Sequence, residues 1–143
     1  MQLVREYVMV HHSLTKDGTS KSWPAIRRYH MEQGWNDIGY HAGVELVSDH
    51  LEAMLGRPED QVAAACKEDH MNARALHLCI VGNFDLTPPS DTVLSFAARV
   101  VVKPWLERYG LGSESIIGHR DRAHYKSCPG FMFDLDRLRM ACA

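Results

Sequence analysis

His119 and Cys128 stand nine positions apart in the segment GHRDRAHYKSCPG, Gly118 to Gly130, with Lys126 two residues before the cysteine. Imidazole nitrogen and thiolate sulfur are donors that zinc takes at about 2.0–2.3 Å. The spacing is too long for one helical face, so a folded loop must close the pair onto one ion. Two ligands make an insecure site. A third must come from elsewhere, and the end of the first apolar run, YVMVHH, offers His11 or His12. Neighbouring residues of a strand point to opposite faces, so one of the two faces the metal. A His, His, Cys set leaves one tetrahedral position open for water, the arrangement of catalytic rather than structural zinc. Water in such a site has its pKa lowered toward ~7 and can attack an amide carbonyl. By spacing alone, the same residues also read as packed histidines and a small buried thiol.

These groups need elements to position them. Tyr7 to His11 reads as a short buried strand, and Leu14 to Ser22 has loop chemistry. Ser22 caps a helix through Gln33, with Trp23, Ile26, Arg27 and His30 on one face and Gly34 as the stop. Gly39 to Val47 alternates as a strand, and a second short one lies near Met54 to Leu55. Ala75 to Gly82 is the strongest buried strand, with Leu76, Leu78 and Ile80 on one face and His77, Cys79 and Val81 on the other. Ser90 opens a helix that Pro104 should kink or interrupt and that ends at Gly110. A short strand over Ser115 to Gly118 leads into the long loop through Gly130, and Asp134 caps a last helix. The order β-α-β-β-β-α-β-α predicts an α/β fold, a central mixed sheet with helices on its faces.

Composition narrows the class. The 143 residues suit a single domain over 1–143. Hydrophobic residues make up 45%, and the net charge of −2 provides no basic footprint, so no nucleic-acid partner is expected. No apolar run approaches the ~20 residues of a membrane span, so no membrane insertion is expected. The stretch MQLVREYVMVHHS lacks the charged start and cleavage site of a signal peptide. Four scattered cysteines, with no CxxC pair, make a disulfide framework a poor reading.

The ordered blocks VMVHHS (8–13), WPAIRRYHMEQGWNDIGYH (23–41), IVGNFD (80–85), GHRD (118–121) and KSCPG (126–130) resemble the type 2 N-acetylmuramoyl-L-alanine amidases. That family of zinc amidases includes phage lysozyme-type endolysins and peptidoglycan-recognition proteins. The resemblance covers nearly the whole chain and implies their fold. It also implies that one zinc ion is held by His11, His119 and Cys128, with His12 turned away. Tyr40 matches the family's catalytic tyrosine, and Lys126 matches a residue that stabilises the transition state. Asp121 is expected either to orient His119 or a nearby backbone group, or to form an ion pair in its loop. Trp35, Asn36 and Asp37 rim the groove or form a turn.

The pattern departs from the family at VAAACKEDHMNARA, where many members carry Gly-Ala-His. His70 and Asn72 are candidates for that substrate-facing role, and His41 is a further candidate contact. His12, His30, His50, His77 and His124 need no functional role. The expected reaction is hydrolysis of the amide between N-acetylmuramic acid and L-alanine in peptidoglycan. The protein is expected to be a monomeric phage or prophage endolysin, made in the cytoplasm without a signal peptide and acting on the wall after membrane permeabilisation. The alternatives are a non-catalytic peptidoglycan-binding module and an amidase that recycles soluble muropeptides.

Overall fold

A computed structural model describes residues 3–15 and 17–143. The chain runs through β1 (Tyr7–His12), a small antiparallel ribbon of β2 (Leu14–Thr15) and β3 (Gly18–Thr19), and α1 (Trp23–Glu32). It continues with β4 (Ala42–Val47), β5 (His50–Leu55), a short α2 (Met71–Arg74) and β6 (Ala75–Ile80). Then come α3 (Asp91–Ala97), α4 (Lys103–Tyr109), β7 (Ile116–Gly118) and α5 (Leu135–Ala141). Five strands form one mixed sheet in the order β5-β4-β6-β1-β7. Only the β4–β5 pair is antiparallel; β6, β1 and β7 run parallel with β4. The expected α/β architecture is therefore present, with β1 held between β6 and β7.

The central strands are covered on both faces, as parallel strands require. On one face Val8, Val10, Leu76, Leu78 and Ile80 pack against Leu94, Ala97, Val101, Val102, Trp105, Leu135 and Leu138. On the other, Trp23, Ile26 and Ile38 close over Cys79, while Met9 packs with Cys66, Met71 and Ile117. Alternation along β1 thus sends Val8 and Val10 into the main core, and Met9 and His11 to the opposite face. Trp23 lies so close over Gly43 that any Cβ there would collide with its ring.

Several boundaries differ from the sequence reading. Leu14 to Ser22 contains the β2–β3 ribbon, because Ser13 ties the end of β1 to its surroundings. Its Oγ donates to Ser20 O at 2.5 Å and accepts from Gly82 N at 2.9 Å. The strand expected from Gly39 begins only at Ala42, because the backbone bends at Gly39 and His41 and its hydrogen bonds go to other segments. The helix opened by Ser90 passes through a π-helical turn over Ala98–Val102 before α4. There the Lys103 N–H reaches back to Ala98 O, widening the helix just ahead of Pro104, whose ring would otherwise crowd the preceding turn. No helix among the described residues is long and apolar enough to cross a membrane.

Candidate metal centre and groove

The carboxyl ends of parallel strands are where α/β sheets place their sites, and three of the residues singled out above meet there. His11 ends the row of β1 that faces away from the main core, His119 follows β7, and Cys128 lies on the loop beyond it. Their donor atoms all lie within 4.8 Å of one another, and all three residues are buried. Cys128 Sγ is 3.7 Å from His11 Nδ1. Two donors on a tetrahedral zinc would stand about 3.6 Å apart, given the usual Zn–N and Zn–S lengths. The donor set therefore fits zinc in both chemistry and spacing.

The choice between His11 and His12 is visible in their contacts. His12 Nδ1 accepts the Phe84 N–H at 3.1 Å, and its ring stacks on Phe84 at 6.3 Å, so it faces away from the cluster. Its backbone N–H points at Cys128 Sγ, 3.3 Å away.

Burial sets the protonation of the cluster. Loss of solvent holds His11 well below the ordinary imidazole value, with the neighbouring histidines adding to the effect. Burial, reinforced by Lys126, holds His119 at about 4. Both rings are thus neutral and carry a lone pair, the form that binds metal. Burial pushes the Cys128 thiol up to about 12, so a dication is what would draw its proton off.

The loop that carries Cys128 is clamped from three sides. Asp85 accepts from Ser127 Oγ at 3.0 Å and from Phe131 N at 2.9 Å. Arg120 Nη2 donates to Phe133 O at 2.8 Å, and the Arg120 N–H to Cys128 O at 2.8 Å. Gly130 has φ +128 and lies against the Phe84 backbone, where a Cβ would collide. Asp121 Oδ2 accepts from Gly118 N at 2.7 Å, so of its expected roles the backbone contact is the one found.

The cluster lies at the floor of a groove with two adjoining lobes, each of about 390 Å³. His11, His30, Tyr40 and Cys128 line one lobe; Cys66, Glu68, Asn72 and Tyr125 line the other. Trp35, His119 and Lys126 border both. The ring centroids of Tyr40 and His11 are 5.0 Å apart. Burial and the neighbouring Cys79 and Cys128 thiols raise the Tyr40 phenol well above its ordinary value, so it keeps its proton. Lys126 is exposed at the rim.

The three expected substrate contacts separate. Asn72 lines the groove, but its Oδ1 is occupied by the N–H groups of Ala65 and Cys66 at 2.7 and 2.8 Å, so it shapes the wall. His70 is exposed, has φ 57 and does not border either lobe. His41, unlike its neighbour Tyr40, does not line the groove. Its Nδ1 accepts the His77 N–H at 3.0 Å and its Nε2 donates to Gln61 O at 2.8 Å. It is buried away from the groove.

Two histidines assigned no role prove to be near the site. His30 Nδ1 accepts from Gly39 N at 2.9 Å, fixing the turn before Tyr40, and its ring lines the groove. His77 is fully buried with its Nδ1 2.8 Å from His11 Nε2. Strand parity already put His77 on the Cys79 face; what the sequence lacked was the parallel pairing of β1 with β6.

A family model described as N-acetylmuramoyl-L-alanine amidase matches residues 2–131. The chain belongs to that family. Peptidoglycan is thus its substrate class and amide hydrolysis its reaction class. The endolysin of Enterobacteria phage K11 is 32% identical over 137 residues, spanning 90% of this chain and 81% of that protein. The amidase LysC from Clostridium intestinale superposes with a TM-score of 0.74 at 22% identity, covering 96% of this chain and 85% of that one. A point mutant of Drosophila PGRP-LB in complex with tracheal cytotoxin gives a TM-score of 0.70 at 22% identity, with coverages of 93% and 79%. At such identities these two structures show the shared fold.

Proposed function

We propose that this chain is a zinc-dependent N-acetylmuramoyl-L-alanine amidase that works as an endolysin, with His11, His119 and Cys128 as the metal ligands. The observation that carries the reading is the convergence of two neutral imidazoles and one thiol at the floor of a groove, in a member of the amidase family. Zinc, when bound, would polarise the scissile carbonyl and lower the pKa of a water in its open position. The rest of the chemistry belongs to the protein. Tyr40, held protonated beside His11, is placed to donate a hydrogen bond or proton near the reacting carbonyl. The Lys126 ammonium, at the rim next to His119, is placed to stabilise negative charge that develops on the carbonyl oxygen. Trp35 and the 64–66 wall held by Asn72 give the glycan–peptide substrate a shaped surface.

The similarity to the phage K11 endolysin supports the lytic role, and the PGRP-LB complex supports a muropeptide as the groove's occupant. A monomer acting on the wall from the cytoplasmic side fits this reading. The test is metal analysis of the purified protein combined with mass spectrometry of digested sacculi. The expected result is about one zinc per chain and products with a free L-alanine amino terminus. Wall binding without such products would replace this reading with a recognition module. Cleavage of soluble muropeptides but not sacculi would replace the lytic role with recycling.

A further inference from the structure

Resting on the assignment of His11 as a metal ligand, we propose that His77 is a positioning residue that locks His11 in the tautomer able to bind the metal. The argument is one of hydrogen-bond accounting along a buried chain of three groups. His77 Nε2 lies 2.8 Å from the carbonyl oxygen of Met71. A carbonyl only accepts, so His77 Nε2 carries a proton and donates it. Among the described residues no carboxylate hydrogen-bonds to the fully buried His77 ring, which leaves the ring neutral and its Nδ1 an acceptor. That Nδ1 lies 2.8 Å from His11 Nε2. His11 must therefore donate from Nε2, which frees the lone pair on its Nδ1. The freed atom is the one that faces Cys128 Sγ at 3.7 Å.

The framework holds this chain of contacts rigidly. His77 lies on β6 opposite Met9 of β1, and His11 lies opposite Cys79, so parallel pairing sets the two rings on the same face. The His77 backbone N–H is itself held by His41 Nδ1 at 3.0 Å, and Met71 is fully buried at the start of α2. Without an acceptor at position 77, His11 could carry its proton on either nitrogen, and one of those forms blocks the ligand atom. Partners of this kind typically change metal affinity by about 10–100-fold when removed.

Two measurements test this. The first is the ring 15N pattern of His11 in the metal-free wild-type protein, which is expected to show the proton on Nε2 and a bare Nδ1. The opposite tautomer overturns the proposal, whatever the variants do. The second is zinc affinity by chelator competition for His77→Leu and His77→Asn, with folding followed by circular dichroism. His77→Leu is expected to weaken zinc binding about 10–100-fold, while His77→Asn, whose amide oxygen can replace Nδ1 as acceptor, stays within about threefold. A folded His77→Leu protein with wild-type affinity overturns the proposal; should that variant fail to fold, the tautomer decides. A wild-type protein that binds no zinc would instead refute the metal-site reading, and the tautomer measurement would still report on His77.

Discussion

Lys126 and Tyr40 border the same groove but are held very differently. Lys126 is exposed, with its Nζ 5.7 Å from the centre of the Tyr125 ring, whereas the Tyr40 ring packs against His11, His30 and Trp23. Lys126→Ala should therefore lower kcat by about 10²–10³-fold, the scale on which a single oxyanion-stabilising donor acts, with KM changed little and zinc content unchanged. Steady-state kinetics with metal analysis checks this, and an unchanged kcat would remove Lys126 from the chemistry. At this scale the sequence was legible where residue type and motif coincided, as for His119 and Cys128. It was silent on His77, whose partner appears only once β1 and β6 lie side by side. His41 misled for the converse reason. It adjoins Tyr40 in the chain, yet its ring is buried away from the groove and ties β6 to Gln61.

At the scale of elements, the Cys128 loop depends on a carboxylate outside it. Asp85→Ala removes the acceptor for both Ser127 and Phe131 and should weaken zinc binding by about tenfold while leaving the sheet intact. Chelator competition and circular dichroism together read this, and unaltered affinity would show that Arg120 and Gly130 hold the loop unaided. Gly43→Ala should cost about 1–3 kcal/mol, because the new methyl must push Trp23 off β4. Urea denaturation measures that loss. Helix ends were legible because caps are local: Ser22, Ser90 and Asp134 each accept a backbone N–H as their sequence contexts suggest. Strand limits were less so. Gly39 to His41 alternates like a strand, yet their backbone contacts go to His77 O, Ala64 N and Arg57 N and leave β4 to begin at Ala42. The π-helical turn before Pro104 is a compromise between a helix-breaking ring and a helix that must stay packed on the sheet.

At the scale of the molecule, Arg5 and Glu59 join distant parts. Arg5 is buried and donates to the carbonyls of Glu59, Gln61, Ala73 and Ala75 at 2.6–2.9 Å. Arg5→Met should destabilise the protein by about 3 kcal/mol, since it strands several buried acceptors; thermal or urea unfolding would read it. Glu59 accepts from Trp105 Nε1 at 3.1 Å, Arg108 Nη1 at 2.6 Å and Tyr109 Oη at 2.9 Å. Burial alone would raise its carboxyl, but these hydrogen bonds and the Arg108 charge outweigh that and hold it below the usual value. Glu59 therefore contributes stability that is complete above the ordinary glutamate pKa and is lost as pH falls through its lowered folded value. Glu59→Gln should flatten that acid limb in urea titrations run at successive pH values, and an unchanged limb would clear Glu59 of the effect. The overall α/β order was legible because it rests on patterning spread along the chain. The Arg5 and Glu59 junctions were not, because nothing local distinguishes either residue from a solvated charge.

The place of β1 between β6 and β7 also governs when the enzyme can come into being. Val8 must wait for Leu76 on one side and for Ile116 on the other, so β1, made before both of its partners, is among the last of these strands to be fully paired. Cys128 follows His11 by 117 positions. On the proposed ligand set, a nascent chain emerging from the ribosome carries His11 but no assembled cluster until His119 and Cys128 have both been synthesised. On that reading hydrolytic competence arrives as a single late event, and a chain broken off before Cys128 is expected to bind no zinc and release no product from sacculi.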